Sequence, residues 1–189
     1  MSHLNLEGLQ ILAPSYRGHG DSDKPPAGYT LDQFANDVIA VADAEGARRF
    51  VLVGFSMSGK FAQRIAAVHP ERVLGLVLIA PVPASEFPVP PEMAKAWCDT
   101  QHDRNAAFNT ILAPFTKIPV KRELTELFLD DFGKAARIGL EETLNICGLS
   151  FVDQAKKIRI PTLVLAGSYD PLLTPDMLKS TTMTEGHTG

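Results

Sequence analysis

The sequence predicts an α/β fold in which a mostly parallel sheet is flanked by helices, and two observations support this. Short apolar runs of the kind that buried parallel strands need recur at residues 50–53, 73–80 and 161–166. Stretches with helical spacing lie between them, and this alternation is typical of a parallel α/β sheet. With 189 residues, 45% of them apolar, the chain is long enough to bury a sizeable core.

The first 46 residues predict a strand, a loop and a helix. An apolar run at residues 9–14 indicates a short strand that stops at Pro14, and a turn-rich loop follows at residues 15–22. Residues 30–33, Thr-Leu-Asp-Gln, have the form of a capping box, in which a threonine side chain and a glutamine satisfy the first free N–H groups of a helix. The apolar positions behind this box predict a helix that ends near Gly46.

Residues 50–68 have the pattern of a strand that turns sharply into a helix, with a serine at the turn. The turn is Gly-Phe-Ser-Met-Ser-Gly at residues 54–59. Small residues are needed there because the strand and the helix approach closely, and the serine takes a strained conformation that points its hydroxyl outward. We therefore expect Ser56 to be a nucleophile. The N–H group of Met57, at the helix N-terminus, is the expected first donor of an oxyanion hole.

The character of the chain changes between residues 82 and 152. A proline-rich loop is followed by stretches at residues 92–113, 121–136 and 138–147 whose apolar residues have helical spacing. We interpret residues 82–152 as a helical cap insertion and residues 1–81 with 153–189 as the core. The aromatic and methionine side chains of the insertion are expected to form ordinary core rather than a ligand pocket.

A serine nucleophile needs a base and a carboxylate that orients the base. Asp170 follows the apolar run at residues 161–166, which places it after Ser56 in the order expected for this type of sheet. The alternative is that Asp170 only forms a turn before Pro171. Glu86, in a loop after the preceding strand, is a weaker alternative for the acid.

His187 is the only histidine downstream of Asp170, so chain order favours it as the base. Only 16 residues separate the two, which is tight for a helix, a strand and a turn, and His187 can equally belong to a terminus without a catalytic role. For His19, in a glycine-flanked loop, a packing role is favoured over base chemistry. His69 is interpreted as a helix end, and His3 and His102 have no identified partner.

Composition and charge exclude several classes of protein. A net charge of −4 without a basic stripe argues against nucleic acid as a partner, and no apolar run reaches the length needed to cross a membrane. No metal-ligand cluster and no glycine-rich phosphate loop occurs, so we expect neither a metal nor another cofactor. Cys98 and Cys147 lie far apart, as expected in a reducing cytoplasm.

Three motifs, taken in their order and spacing, indicate a known family. They are Arg-Gly-His-Gly-Asp-Ser at residues 17–22, the turn at residues 54–59, and Val-Leu-Ala-Gly-Ser-Tyr-Asp at residues 164–170. Together they resemble the α/β-hydrolase superfamily, in its branch of small-ester hydrolases and haloperoxidase-like proteins. The resemblance implies that Ser56 is the nucleophile, Asp170 is the acid, and the helical insertion is a cap over the pocket. It disfavours members with an aspartate nucleophile, because Ser56 occupies that place.

The sequence departs from this family at both ends. Such proteins begin with several strands and a His-Gly loop that supplies a second oxyanion donor, whereas this chain starts almost directly at the strand before Arg17. The last strand before the histidine is missing or severely shortened. The resemblance therefore implies a hydrolase truncated at the N-terminus and shortened at the C-terminus, with an exposed sheet edge that favours homo-oligomers.

We expect a serine hydrolase that cleaves a small ester-like substrate through an acyl-enzyme intermediate with a Ser-His-Asp triad. The alternative is a catalytically impaired hydrolase remnant that binds a ligand or a partner. A perhydrolase or haloperoxidase-like side activity would use the same triad, and the sequence does not separate it from ester hydrolysis.

Overall fold

A computed structural model describes residues 7–116, 118–174 and 177–178 of the chain. Within these residues, one sheet of three parallel strands has the order β1-β2-β3. The strands are β1 (Phe50–Phe55), β2 (Val73–Ile79) and β3 (Thr162–Leu165). The predicted class, a parallel sheet flanked by helices, is confirmed.

Helices occupy about half of the remaining described chain. The α-helices are α1 (Leu31–Ala44), α2 (Met57–Val68), α3 (Pro91–Asp99), α4 (Arg104–Ala107), α5 (Arg122–Gly133), α6 (Arg137–Cys147) and α7 (Val152–Ala155). Between α4 and α5, the chain forms a π-helical turn at Phe108–Leu112 and a 3₁₀ turn at Ala113–Phe115. We call residues 82–152, which contain α3 to α6, the helical segment. Its separation from the core as a cap stays a prediction.

The N-terminus of α1 forms the threonine half of the predicted capping box, while the Gln33 side chain donates to Asp37 at 3.1 Å. The hydroxyl oxygen of Thr30 accepts a hydrogen bond from the backbone N–H of Gln33 at 3.1 Å, which satisfies one of the free donors of the first turn. At the other end Gly46 follows the helix with φ of +70°, a conformation that favours glycine. The helix buries Phe34 and Ala35, and α1 packs against α2.

The predicted strand at residues 9–14 is wrong, because this stretch forms no regular structure. A strand requires a neighbour to which its backbone groups can bond. In the described part of the chain β1 pairs only with β2, and no strand lies along its other edge to connect the sheet with residues 9–14. Leu9 and Ile11 are consequently exposed, at 66% and 41%.

The single helix predicted over residues 92–113 is also wrong, because the chain breaks it between α3 and α4. The Thr100 hydroxyl donates to the carbonyl of Trp97 at 2.8 Å, and the side chain of Asp103 accepts the N–H of Ala106 at 3.0 Å. Short polar side chains thus take over backbone groups that a continuous helix would pair. Apolar spacing alone did not reveal this break.

The main core lies between one face of the sheet and helices α1 and α2. Its buried side chains include Ala35, Ala62, Ile65, Ala66, Val73, Leu76, Leu78, Ile158 and Ile160. Side chains on the opposite face of the sheet are exposed, with Val53 at 63%, Phe55 at 64% and Leu163 at 53%. One apolar face of the sheet is therefore uncovered within the described residues.

Candidate active site

The turn between β1 and α2 has the geometry that the sequence predicts for a nucleophile. Ser56 has φ of 52° and ψ of −119°, a backbone conformation that residues other than glycine rarely adopt. The turn is held to the end of β2: the N–H of Ser56 donates to Ile79 at 3.0 Å, and its carbonyl accepts the N–H of Val82 at 2.9 Å. Backbone bonds on both sides thus maintain the strained residue.

Close approach explains the small residues around Ser56. A β-carbon added to Gly54 would lie 2.7 Å from the Cα atom of Gly59, and one added to Gly59 would lie 2.4 Å from the β-carbon of Pro81. Ser58 is tolerated because its hydroxyl bonds back to Phe55, donating to the carbonyl at 2.7 Å and accepting the N–H at 2.9 Å. Met57 is the first residue of α2, so its N–H has no helical acceptor and lies beside Ser56.

Ser56 and Asp170 line the same cavity, which has a volume of about 700 Å³. Backbone and side chains around Asp170, including Ser168, form one wall. The helical segment supplies most of the rest, and its contributions are predominantly apolar. They include Phe87, Val89, Trp97, Ile111, Leu112, Phe115, Phe128, Phe132, Leu140 and Leu144. The aromatic side chains that the sequence assigned to ordinary core thus include several at a cavity wall.

Asp170 has a fixed carboxylate. Its Oδ1 atom accepts the N–H groups of Leu172 at 2.9 Å and Leu173 at 2.8 Å. These bonds form the turn that the alternative interpretation expected, and they engage one carboxylate oxygen only. The same bonds orient the carboxylate at the cavity wall, so the turn and an acid role are compatible. Glu86 is exposed and does not line this cavity.

The histidines differ in whether they lie within the described residues and whether they line this cavity. His187 and His3 lie outside the described residues. His19 lines the cavity, and its Nδ1 atom lies 3.1 Å from the carbonyl of Arg17. Burial lowers the pKa of His19. Because a carbonyl oxygen only accepts, the neutral ring in this contact carries its proton on Nδ1. This bond agrees with the loop-packing role that the sequence favoured. His69 and His102 do not line the cavity.

Sequence reasoning missed Lys60, which lies one helical turn after Ser56. Its side chain is completely buried, and its ammonium group donates to three backbone carbonyls. Burial lowers its pKa to about 8, against the opposite influence of Cys147 and Glu86, so the charged form predominates at neutral pH. A lysine among the apolar residues of α2 was the available signal.

The described residues contain no group of three or more histidine, cysteine, aspartate or glutamate side chains that could hold a metal ion. Among the same residues, no helix combines the length and the apolar character needed to cross a membrane. Cys98 and Cys147 are free and buried.

Comparison with known proteins identifies sequences that are related to this chain. A family model described as the alpha/beta hydrolase fold matches residues 1–130. The AB hydrolase superfamily protein YisY of Bacillus subtilis is 28% identical over 193 residues, which cover 95% of this chain and 70% of that protein. A putative non-heme chloroperoxidase of Synechocystis is 29% identical over 184 residues, covering 88% of this chain and 66% of that protein.

A solved structure shares the fold. An esterase from Exiguobacterium antarcticum matches with a TM-score of 0.76 at 23% identity, over 88% of this chain and 66% of that one. The chain thus spans about two thirds of the length of these three proteins.

Proposed function

The chain belongs to the alpha/beta hydrolase fold family, and from this premise we propose that it is a serine hydrolase acting on a small ester-like substrate. One observation carries the proposal: Ser56 occupies a strained turn at a helix N-terminus and opens into the cavity that Asp170 also lines. A hydroxyl in this position is accessible to a bound carbonyl group.

The proposed reaction has two steps. The Ser56 oxygen attacks the ester carbonyl carbon while a base, for which we propose His187, takes the hydroxyl proton and Asp170 orients that base. The Met57 N–H stabilises the negative oxygen that forms. The alcohol leaves with the proton from the base. Water then attacks the acyl-enzyme with help from the same base, which releases the acid and restores Ser56.

The cavity wall supports an apolar group on the substrate. Trp97, Phe115 and Phe128 line it together with aliphatic side chains of the helical segment, which we propose acts as a cap. Burying an alkyl or aryl group there contributes about 25 cal/mol for each Å² of apolar surface removed from water. We therefore propose that esters with a longer acyl chain bind more tightly than acetates. A perhydrolase or haloperoxidase-like side activity would use the same serine.

Labelling with a fluorophosphonate probe tests the nucleophile directly. We expect covalent labelling of the wild-type protein and none of Ser56→Ala, with Ser58→Ala as the neighbouring control that keeps the label. Folding of each variant is checked by circular dichroism. A folded wild-type protein that takes up no probe at Ser56 would contradict the proposal.

A second candidate is a catalytically impaired protein that binds a ligand in the same cavity. The observation that favours it is the turn around Asp170, which accounts for the bonds of Oδ1 without any base. Hydrolysis of p-nitrophenyl acetate that disappears in both Ser56→Ala and His187→Ala would exclude it. Binding of the ester without turnover would support it.

Two further properties belong to the proposal. We propose that copies of this chain associate through the free edge of β1 and the exposed face beside it, where Val53 and Phe55 are exposed. We also propose a cytoplasmic location, with which the two free cysteines agree.

A further inference from the structure

The chain passes between the sheet and the helical segment twice, and both passages meet at one buried ammonium group. The first passage is residues 80–90, after β2, and the second is residues 147–151, from the last residue of α6 to the start of α7. The Nζ atom of Lys60 donates to the carbonyl of Ser85 in the first passage at 3.0 Å. It also donates to the carbonyls of Cys147 and Leu149 in the second, at 2.8 Å and 2.5 Å. A single side chain of α2 therefore binds both passages.

Backbone bonds also join the two passages to each other. The N–H of Phe87 donates to Cys147 at 2.9 Å, and the N–H of Phe151 donates to Ala84 at 3.0 Å. These two bonds hold the passages side by side, but they do not attach them to α2. The bonds from Lys60 make that attachment, together with the Gln63 amide, which donates to Val82 at 2.9 Å.

The chemistry of this junction matches a charged lysine. An ammonium group has three donors and no acceptor, and three carbonyl oxygens surround it. Cys147 is the last residue of α6, and a cation near a helix C-terminus interacts favourably with its unpaired carbonyls. The Phe151 ring lies 6.0 Å from the Nζ atom. A buried charge is costly unless it is bonded in this way.

The junction connects α2, which starts directly after the proposed nucleophile, with residues that line the cavity. Lys60 is in the first turns of α2, which starts directly after Ser56, while Phe87 and Cys147 both line the cavity. We propose that Lys60 is a positioning residue, which fixes the helical segment over Ser56 and thereby sets the shape of the cavity. The inference goes beyond the proposed function, and only its kinetic test rests on that function.

Lys60→Met tests this, since methionine keeps an apolar stem of similar length without any donor. Hydrogen exchange of the Phe87 and Phe151 amides should accelerate at least about tenfold, because losing even one of the three bonds to the charged group favours local opening by that factor. Trp97, the only tryptophan, lines the cavity and should become more accessible to acrylamide. Lys157→Met, which changes an exposed lysine, should alter neither measurement.

The kinetic test separates positioning from general loss of stability. With a p-nitrophenyl ester of a longer acyl chain, Lys60→Met should raise KM about tenfold and leave kcat within about threefold, because binding to the wall is lost while Ser56 is retained. Absence of any esterase activity would contradict the proposed function only, since exchange and quenching need no substrate. A folded Lys60→Met protein with wild-type exchange at both amides would overturn the inference.

If Lys60→Met does not fold, hydrogen exchange of the wild-type protein tests the inference instead. The Phe87 and Phe151 amides should then exchange together with those in the middle of α2, because Lys60 joins them into one unit. Exchange as fast as in the exposed turn at residues 102–104 would overturn the inference. Lys60→Gln, which retains two donors on a shorter side chain, should give exchange rates between those of the wild-type protein and an unprotected segment.

Discussion

Ser56 stands in a backbone conformation that costs on the order of 1–3 kcal/mol, and its neighbours explain how the chain tolerates it. Gly59 allows α2 to begin directly against Pro81, and Gly54 allows β1 to end against Gly59. The strain is thus compensated by packing and by the backbone bonds to β2. The need for small residues at positions 54 and 59 could be predicted from the sequence, because a sharp turn brings strand and helix close together, whereas the contact with Pro81 could not.

Gly59→Ala should therefore destabilise the protein by about 1–3 kcal/mol, because the new β-carbon would lie 2.4 Å from that of Pro81 and the turn must shift. Urea unfolding measures the change. Gly133→Ala is the matched control: it also lies in a helix, its nearest contact would be an ordinary 3.7 Å, and helix propensity predicts a gain of up to about 1 kcal/mol. Equal effects of the two substitutions would contradict the steric explanation.

Tyr16 provides a prediction on pH. Its ring packs edge-on against Phe61 at 4.8 Å and Phe34 at 5.5 Å, and burial raises its pKa to about 12, against the opposite effect of a hydrogen bond with Ser58. The unfolded chain ionises near 10, so the native state holds this proton more tightly. Its contribution to stability is complete below pH 10 and is lost as the pH rises towards 12.

Tyr16→Phe removes this dependence. The difference in unfolding free energy between wild type and variant should fall by about 1 kcal/mol between pH 10 and pH 11 and stay constant between pH 7 and pH 9. Urea titrations at each pH give the difference, in which ionisations common to both proteins cancel. A constant difference up to pH 11 would show that Tyr16 ionises normally.

At the scale of elements, the loop at residues 15–22 is attached to α1 by a bidentate ion pair. Arg17 bonds to Asp37 from Nε at 2.6 Å and from Nη2 at 2.7 Å. Burial acts to raise the pKa of Asp37, but hydrogen bonds from Arg17 and Gln33 outweigh it and lower the pKa. The contribution of this carboxylate is therefore present above its ordinary pKa and is lost as the pH falls through the lowered value.

Asp37→Asn should lower the free energy of unfolding by about 1 kcal/mol at pH 7, since a bonded charge is lost from a partly exposed site. The difference from wild type should vanish at a pH below the lowered pKa. Asp32→Asn, on the same helix, breaks the pair with Arg64 at a far more exposed carboxylate and should cost at most about 0.5 kcal/mol. Similar losses in both variants would contradict the role assigned to the Arg17 pair.

Elements with a local signal could be predicted, and elements that depend on distant partners could not. The cap at Thr30 and the turn at Ser56 follow from neighbouring residues. The apolar run at residues 9–14 has a strand-like sequence, but no described strand lies beside it. Lys60 was missed for the same reason, because its acceptors at Cys147 and Leu149 are 87 and 89 residues away in the chain.

For the whole molecule, the sheet has a covered and an uncovered face. Helices α1 and α2 bury one face, whereas the other presents adjacent exposed side chains from β1 and β3 across Val77 of β2. The described part of the chain adds no layer there, and β1 also has a free edge. Contiguous apolar surface of this kind favours association, and edge strands without charge offer a template for pairing.

We expect this 189-residue chain to self-associate through that surface, and Val53→Lys to weaken the association. Val53 is 63% exposed on the edge strand, so a lysine there places a charge on the apolar face and on the free edge without filling the core. Sedimentation velocity over a range of concentrations measures the association, and binding of a hydrophobic dye reports the exposed face.

Leu127→Lys is the control, because this residue of α5 is 65% exposed away from the sheet. A wild-type chain that stays monomeric at high concentration, or a Leu127→Lys variant that dissociates as readily as Val53→Lys, would contradict association through the sheet.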